Sequence, residues 1–353
     1  MTDAHIHGGD IYRHPGVLDF SVNMNPSGPP SGVVQAVHDS AACIACYPDE
    51  EKEELCRLLS ARENVLTEDL IFGNGAAELI FLWAEAVRPH RAVLTAPCFA
   101  EYGRALRAAG CEDIVMHMQG IENGFHLTDK ILEDLTEDTD ALILCNPGNP
   151  TGLLTDTGLM EDIIRRCAAY DIHLMVDECF LALCDAGEAF SVKKYLHSFP
   201  QIFLLNAFTK TYAMAGLRLG YGMTSDRALL ERMHSLCQPW NVSIPAQMAG
   251  VASLRADPSY LTRSRQVIRD ERTYLLREMS SIGLWTSEAM ANYILFRVPE
   301  GKNSDFIGRL LRRGILIRDC SSYTGLGPGY YRVAVRLHED NEKLISALWR
   351  LLT

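Results

Sequence analysis

The stretch FTKTYAMAGLRLGY, residues 208–221, is the most informative part of this sequence for the expected fold. It places two cations in a mostly apolar, glycine-containing run. Lys210 follows an apolar strand pattern and Thr209, and Arg218 comes eight residues later. A buried cation is costly unless an anionic group meets it. A lysine desolvated in a pocket also shifts toward its neutral, nucleophilic form. The pair therefore predicts a pocket for an anionic ligand, with an ordinary surface lysine as the alternative.

Composition limits the classes of protein to which this chain can belong. It has 353 residues, of which 48% are hydrophobic, which is enough for a large core and for two lobes. A net charge of −12 argues against a nucleic-acid groove or an anionic membrane surface. The 11 cysteines, an odd number, are typical of a reducing cytosol and not of a disulfide framework.

Metal, secretion and membrane signals are weak in the sequence. Cys43 and Cys46 form one CxxC pair without a second pair at zinc-site spacing, so we expect no metal site. The start, MTDAHIHGGD, lacks a basic region followed by an apolar one, and no apolar run approaches the ~20 residues of a membrane span. We therefore expect a cytoplasmic protein with neither a membrane nor a nucleic acid as a partner.

Short apolar runs alternate with helical patterns along the first two thirds of the chain. Strands are predicted at 70–72, 91–96, 113–118, 141–145, 173–176, 202–206 and 219–223. Helices are predicted at 49–60, 76–86, 102–109, 159–170 and 226–237. This alternation predicts an α/β fold in which a mostly parallel, seven-stranded sheet carries helices on both faces.

The pattern changes after about residue 256. A long charged helix, 260–279, precedes strand-like pieces at 293–298, 315–318 and 331–335, which predicts a smaller α+β domain. We expect three parts: an N-terminal segment, 1–40, that joins the small domain, a large domain, 41–255, and the small domain itself, 256–353.

Ligands of open α/β sheets gather at the carboxyl ends of the strands, so the polar residues that follow the predicted strands are candidates for a site. After the first strand, GNGAAE predicts a glycine turn and a helix start whose free N–H groups bind an anion, or else an ordinary connection. In CNPGNPTG, the prolines stiffen a turn in which an asparagine amide is held in a fixed direction, with a plain turn as the alternative. Asp177, in HLMVDECF, either caps a helix or pairs with a cationic ring nitrogen.

An anion cradle, a directed amide, a carboxylate and a lysine are together the parts needed to hold pyridoxal phosphate. The ordered motifs GNGAAE, PCFAEY, NPGNPTG, VDECF, FTKTYAMAGLRLGY and YRVAV resemble the fold-type-I pyridoxal-phosphate enzymes, the aspartate aminotransferase superfamily, over nearly the whole chain. The resemblance implies an aspartate-aminotransferase-like fold and pyridoxal 5′-phosphate as the cofactor.

The resemblance also implies how the cofactor is anchored. Lys210 would bind it covalently, and Arg218 would pair with its phosphate. Thr209 and the backbone N–H groups of Ala76 and Ala77 would complete the phosphate cradle.

Other motif residues would serve the cofactor ring, the partner subunit and the substrate. By resemblance, Phe99 stacks on the ring, Asn149 hydrogen-bonds its O3′ and Asp177 keeps its nitrogen protonated. Tyr47, in CYPDEE, matches a tyrosine that reaches the cofactor of the neighbouring subunit, which implies a homodimer with shared active sites. Arg332, in YRVAV, matches the arginine that binds the substrate α-carboxylate, with a bidentate fork.

Two positions depart from the common pattern of the superfamily. Phe180 stands where many aminotransferases have a tyrosine, so one hydrogen bond to the cofactor O3′ is missing. Ala207 stands where a phosphate-binding serine or threonine is common, so the cofactor is held by one hydroxyl fewer.

Two branches of the superfamily are similar to this chain: the histidinol-phosphate aminotransferases and the L-threonine O-3-phosphate decarboxylases of cobalamin synthesis. The second resembles it in more detail, at HGGDIYR, LDFSVNMNP, PCFAEYGRAL, GILIRDCSSYTGLG and RVAVRLHEDN, and in having the phenylalanine at 180. Both act on phosphorylated amino compounds, so a second anion site is expected. We place it on Arg318, His7 and Arg336, with salt bridges inside the small domain as the alternative for the arginines and a mobile terminus for His7.

The preferred function is therefore pyridoxal-phosphate-dependent decarboxylation of a small O-phosphorylated amino acid. An aminotransferase of the histidinol-phosphate type is the first alternative. A protein that binds the cofactor without turnover is the second, and an α/β binding protein without a cofactor is the third.

Overall fold

The structure is a computed structural model that describes residues 7–353. Its strands are β1 (Leu18–Asp19), β2 (Leu70–Asn74), β3 (Arg91–Ala96), β4 (Asp113–Met118), β5 (Ala141–Cys145), β6 (His173–Asp177), β7 (Ile202–Ala207), β8 (Leu219–Met223), β9 (Trp285–Thr286), β10 (Tyr293–Arg297), β11 (Ile315–Leu316), β12 (Arg318–Asp319) and β13 (Tyr330–Ala334). Its α-helices are α1 (Ser31–Ser40), α2 (Glu53–Glu63), α3 (Ala76–Val87), α4 (Ala100–Ala108), α5 (Ile131–Asp134), α6 (Thr157–Ala169), α7 (Phe208–Thr211), α8 (Arg227–Leu236), α9 (Ile244–Leu254), α10 (Tyr260–Ser281), α11 (Phe306–Leu311) and α12 (His338–Leu352).

The larger sheet has seven strands in the order β2-β8-β7-β6-β5-β3-β4. Neighbouring strands are parallel except at β8, which runs antiparallel to both β2 and β7. A parallel crossover needs a dozen or more residues, usually with a full helix, and the connection 208–218 offers only the single turn α7. The chain therefore turns back beside β7. The predicted fold class, a mostly parallel seven-stranded sheet with helices, is confirmed.

Apolar residues cover both faces of this sheet, because successive side chains of a strand point to opposite faces. In β5, Leu142 and Leu144 pack into one buried cluster while Ile143 packs into the other. In β6, Leu174 packs into the first of these clusters and Met175 into the second. The two clusters hold the carboxyl ends of β5, β6 and β7 in fixed positions, and polar side chains emerge there.

The smaller sheet has the order β12-β13-β10-β9 and is antiparallel. It packs with α10 and α12 around a separate core that includes Ile294, Phe296 and Val333. The predicted strand 315–318 is instead two short strands, because β11 pairs with β1 whereas β12 pairs with β13. β1 and β11 form a separate two-stranded parallel sheet, which ties residues 18–19 to the segment that leads into β12, and α1 packs against α9.

Within residues 7–353, no helix combines the length and the apolar character that crossing a membrane would need.

Candidate active site

A cavity of about 330 Å³ lies where β5, β6 and β7 end, beside the start of α3 and the strands β12 and β13. It collects most of the residues that the sequence predicts for the site. They are His7, Ala76, Ala77, Phe99, Asn149, Asp177, Thr209, Lys210, Arg218, Arg318 and Arg332. Phe180 and Ala207, the two departures from the superfamily pattern, also line it. Tyr47 and Arg336 do not.

Lys210 reaches the cavity from α7, the single turn that follows β7. Its Nζ lies 5.7 Å from the centre of the Phe180 ring and 3.9 Å from the sulfur of Met24. Burial lowers the pKa of Lys210 to about 8, and the positive charges of Arg332 and Arg218 act in the same direction. A larger fraction of this amine is therefore neutral near pH 7 than of an ordinary lysine, as a nucleophile or a proton acceptor requires.

Asp177 ends β6 and is 7% exposed. Its Oδ1 accepts a hydrogen bond from the backbone N–H of Cys179 at 2.9 Å, and its Oδ2 accepts one from the hydroxyl of Tyr102 at 2.7 Å. Among the residues that the structure describes, Asp177 forms no ion pair within 4.0 Å. A buried carboxylate of this kind at a cavity wall suits a cationic N–H donor on a ligand, such as a protonated ring nitrogen.

Arg332 extends from β13 into the same cavity and is 6% exposed. One guanidinium nitrogen donates to the Oδ1 of Asn149, and another donates to the backbone carbonyl of Ser21 at 2.9 Å. Because Asn149 uses its carbonyl oxygen for Arg332, its NH₂ group remains to donate to a ligand. The Nε of Arg332 and the Oδ1 of Asn23 are buried without a partner in the described part of the chain, which indicates that this wall meets a polar ligand.

The turn between β2 and α3 forms an anion cradle. Gly75 has φ of 79°, and a Cβ at this position would overlap the guanidinium of Arg218. Helix α3 begins at Ala76 without a side-chain cap, so the N–H groups of its first turn are available to an anion. The carboxylate of Glu78 turns to the backbone N–H of Asn74, at 2.6 Å. Together with Thr209, this donor set fits the phosphate of pyridoxal phosphate, and Asp177 fits its ring nitrogen.

Arg318 and Arg332 stand directly opposite each other on β12 and β13. Arg318 is 6% exposed, and its guanidinium lies 5.5 Å from the ring centre of Tyr323. Both side chains line the cavity, so this wall carries two positive charges and is suited to an anionic ligand.

His7 lies at the cavity wall with its ring centre 5.7 Å from that of Phe99. Its Nε2 is 3.0 Å from Oε1 of Glu101, and this carboxylate also accepts two hydrogen bonds from Arg104. The buried carboxylate of Glu101 thus orients the imidazole at the edge of the cavity.

Two predicted site residues lie elsewhere. Tyr47 is 76% exposed and stacks on Trp240 with ring centres 4.4 Å apart, so its contact with a partner subunit's cofactor stays a prediction. Arg336 donates to Asp340 at 2.9 Å and to the carbonyl of Asp19 at 3.0 Å. These bonds hold the connection between β13 and α12, and we therefore remove Arg336 from the substrate-binding set.

The sequence reasoning did not select Tyr102, Asn23 or Tyr323, which also line the cavity. The sequence does indicate Tyr102, because it follows Phe99 by three residues at the start of a helix. Side chains at this spacing are neighbours on the helix surface. Asn23 and Tyr323 lie within segments of irregular structure, where spacing does not indicate direction.

Comparisons with known proteins agree with this geometry. The family model described as "Aminotransferase class I and II" matches residues 15–348. The threonine-phosphate decarboxylase of Salmonella typhimurium is 39% identical over 98% of this chain and 96% of that protein. The histidinol-phosphate aminotransferase of Methanosphaera stadtmanae is 30% identical over 94% and 89%. Among solved structures, histidinol-phosphate aminotransferase from Clostridium acetobutylicum has a TM-score of 0.88 at 25% identity and covers 95% of this chain and 99% of that one.

Proposed function

Because this chain belongs to the class I and class II aminotransferase family, we propose that it is a lyase that decarboxylates L-threonine O-3-phosphate to aminopropanol phosphate, a step of cobalamin synthesis. Its fold is aspartate-aminotransferase-like and its cofactor is pyridoxal 5′-phosphate. The observation that carries the proposal is the opposed pair of buried arginines, Arg318 and Arg332, in the cavity of Lys210. A phosphorylated amino acid brings one anionic group for each guanidinium.

The residues of the cavity divide the work of the proposed reaction. When bound, the cofactor supplies an electron sink for the pair of electrons left at the substrate Cα. Asp177 holds a proton on the ring nitrogen through a charge-assisted hydrogen bond. The Lys210 amine, whose pKa is lowered to about 8, would in its protonated form donate a proton to the substrate Cα after the carboxylate has left as CO₂.

The two guanidiniums select the bond that breaks. Arg332 binds the substrate carboxylate through its planar fork, and Arg318 binds the phosphate beside His7. A substrate held at these two points would present one substituent of its Cα perpendicular to the conjugated plane of the cofactor. In the proposed decarboxylation, that substituent is the carboxylate, which is lost as CO₂. Phe180 at the same wall offers an apolar ring in place of a phenol.

Amino transfer from a substrate of the histidinol-phosphate type is the second candidate. It is favoured by the TM-score of 0.88 with a histidinol-phosphate aminotransferase and by the 30% identity with another. The higher identity of 39% to a threonine-phosphate decarboxylase favours the first.

A substrate panel tests the proposal. Threonine phosphate, serine phosphate and histidinol phosphate are incubated separately with the holoenzyme, the last with 2-oxoglutarate, and both CO₂ and the keto product are measured. We expect CO₂ from threonine phosphate at the highest kcat/KM. Rapid transamination of histidinol phosphate with no CO₂ from either phosphorylated amino acid would establish the second candidate instead.

A further inference from the structure

Tyr102 lines the cavity beside Phe99 and Asp177. It is 1% exposed on α4, and its ring meets that of Phe99 edge-on with centres 5.6 Å apart. Its hydroxyl donates to Oδ2 of Asp177 at 2.7 Å. Tyr102 thus touches both a residue predicted to stack on the cofactor ring and the residue predicted to meet the ring nitrogen.

The hydroxyl of Tyr102 keeps its proton. Burial raises the pKa of Tyr102 well above its usual range, and the negative charge of Asp177 raises it further. The neighbouring thiols of Cys145 and Cys179 also have pKa values well above the usual range, chiefly because they are buried. The phenol and the thiols that adjoin Asp177 therefore keep their protons, and Tyr102 acts as the donor and Asp177 as the acceptor.

The two oxygens of Asp177 have different donors. Oδ1 takes the backbone N–H of Cys179, whose position follows from the end of β6, and Oδ2 takes the hydroxyl from α4. A donor on each oxygen fixes the rotation of the carboxylate about its Cβ–Cγ bond. Hydrogen bonds to the charged form of an acid also stabilise that form, so they reduce its affinity for a proton.

We propose that Tyr102 is a positioning residue for Asp177, and that its hydroxyl, by holding Oδ2 and stabilising the charged carboxylate, keeps the shared proton on the cofactor ring nitrogen. This inference rests on the proposed assignment of Asp177 to that nitrogen, and it holds whether the enzyme decarboxylates or transaminates. Without the hydroxyl, Oδ2 is buried with one donor fewer, the charged carboxylate loses that stabilisation, and the proton moves toward Asp177.

The test uses the cofactor as a reporter. Wild-type and Tyr102→Phe apoproteins are loaded with pyridoxal phosphate that carries ¹⁵N in the ring, and the resonance of that nitrogen is recorded by NMR. We expect the resonance in Tyr102→Phe to move toward that of neutral pyridine. The dissociation constant of the cofactor, measured by titration of the apoprotein, should rise about tenfold, since a hydrogen bond to a charged group is lost.

Tyr221→Phe is the matched control. The hydroxyl of Tyr221 also donates to a carboxylate, Glu63, at 3.1 Å, and Tyr221 is likewise buried, but it does not line the cavity. It should leave the ring resonance and the cofactor affinity unchanged. An equal displacement in Tyr221→Phe would mean that any buried phenol has this effect, and the inference would be wrong.

Replacing Tyr102 with 3,5-difluorotyrosine supplies a second variant that keeps the ring and the hydroxyl. Because its phenol is a stronger hydrogen-bond donor, the resonance should move toward that of fully protonated pyridine, opposite to Tyr102→Phe. A resonance identical to wild type in both variants would overturn the inference, even if the protein were less stable.

Asp177→Asn separates this inference from the assignment on which it rests. If the ring resonance is unchanged in Asp177→Asn, Asp177 does not meet the ring nitrogen and both statements fall. If it moves in Asp177→Asn but not in Tyr102→Phe, only the role of Tyr102 is wrong.

Discussion

Lys210 owes its chemical character to its surroundings. Three arginines line the same cavity, and burial removes the water that would stabilise a fourth cation. The same side chain on the surface would titrate near its usual value of 10.5, and only the fold brings it to about 8. A lysine selected from the sequence by its apolar context is thus given a nucleophilic amine by the structure.

The lowered pKa of Lys210 predicts how the cofactor binds as pH changes. The neutral amine is the reactive form, and it increases as pH rises through about 8. We expect the rate at which apoprotein captures pyridoxal phosphate covalently to rise up to about tenfold per unit below that value and to level off above it. Stopped-flow absorbance between pH 6.5 and 10 measures this rate. A rate that keeps rising toward 10.5 would contradict the argument, and Lys210→Ala should show no covalent capture at all.

Arg318 predicts a selective loss of substrate affinity. Arg318→Ala removes a charge-assisted contact worth about 1.5–3 kcal/mol, so KM for threonine phosphate should rise roughly 10- to 150-fold. The cofactor affinity should stay at the wild-type value, because we assign the cofactor phosphate to Arg218 and α3 and not to Arg318.

Arg336→Ala is the control for Arg318→Ala, since Arg336 binds Asp340 and the carbonyl of Asp19 outside the cavity. It should lower the melting temperature with little change in KM. Equal effects of the two substitutions on KM would remove Arg318 from the substrate site.

At the scale of a single element, the turn between β2 and α3 determines the shape of the anion cradle. Gly75 is the residue that lets Arg218 approach the first turn of α3, because it has a positive φ and no Cβ. Gly75→Ala should therefore lower cofactor affinity at least tenfold and cost about 1–3 kcal/mol of stability.

Gly110→Ala is the matched control for this turn. Gly110 has φ of 88°, so alanine is strained there too, but nothing lies within 4 Å of the added Cβ. Thermal unfolding and cofactor titration of both variants give the comparison. The cradle account fails if Gly110→Ala weakens the cofactor as much as Gly75→Ala does.

The positions of several strands, and the place of the cavity at the ends of the parallel strands, could be predicted from the sequence. β3, β4, β5 and β8 have the predicted bounds, and polar residues at strand ends converge because parallel strands end at one edge. Helix α9, not predicted, has a clear start in Ser243 and Pro245, but its alanine- and glycine-rich sequence lacks an amphipathic period. The contacts of Tyr102 and the pairing of Arg318 with Arg332 depend on distant segments.

Arg336 lies close to Arg332 in sequence but does not line the cavity. It stands four residues after Arg332, so a continuing strand would place both on the same face. β13 ends at Ala334, however, and the side chain of Arg336 turns to Asp340 in the first turn of α12.

At the scale of the whole molecule, the exposed aromatic pair Tyr47 and Trp240, with Ile44 90% exposed nearby in sequence, motivates the predicted homodimer. If Tyr47 serves the partner's site, a chain with Lys210→Ala and a chain with Tyr47→Ala should complement each other. In a mixed dimer, one site has both intact residues, so about half of the wild-type activity per dimer should return.

Differently tagged chains allow the mixed dimer to be purified and assayed against each parent. Activity no greater than that of the parents would mean that Tyr47 acts within its own subunit or not at all. Sedimentation that shows a fully active monomer would exclude shared sites altogether.

The proposed reaction is tested most directly by following the carboxyl carbon of the substrate. L-Threonine O-3-phosphate labelled with ¹⁴C in its carboxyl group is given to the holoenzyme, and labelled CO₂, aminopropanol phosphate and 2-oxo acid are measured. Our account predicts one CO₂ and one aminopropanol phosphate for each substrate consumed over many turnovers, with no labelled 2-oxo acid. Label that stays in a 2-oxo acid, formed once per active site in the absence of an amino acceptor, would contradict it and show that the enzyme transfers the amino group.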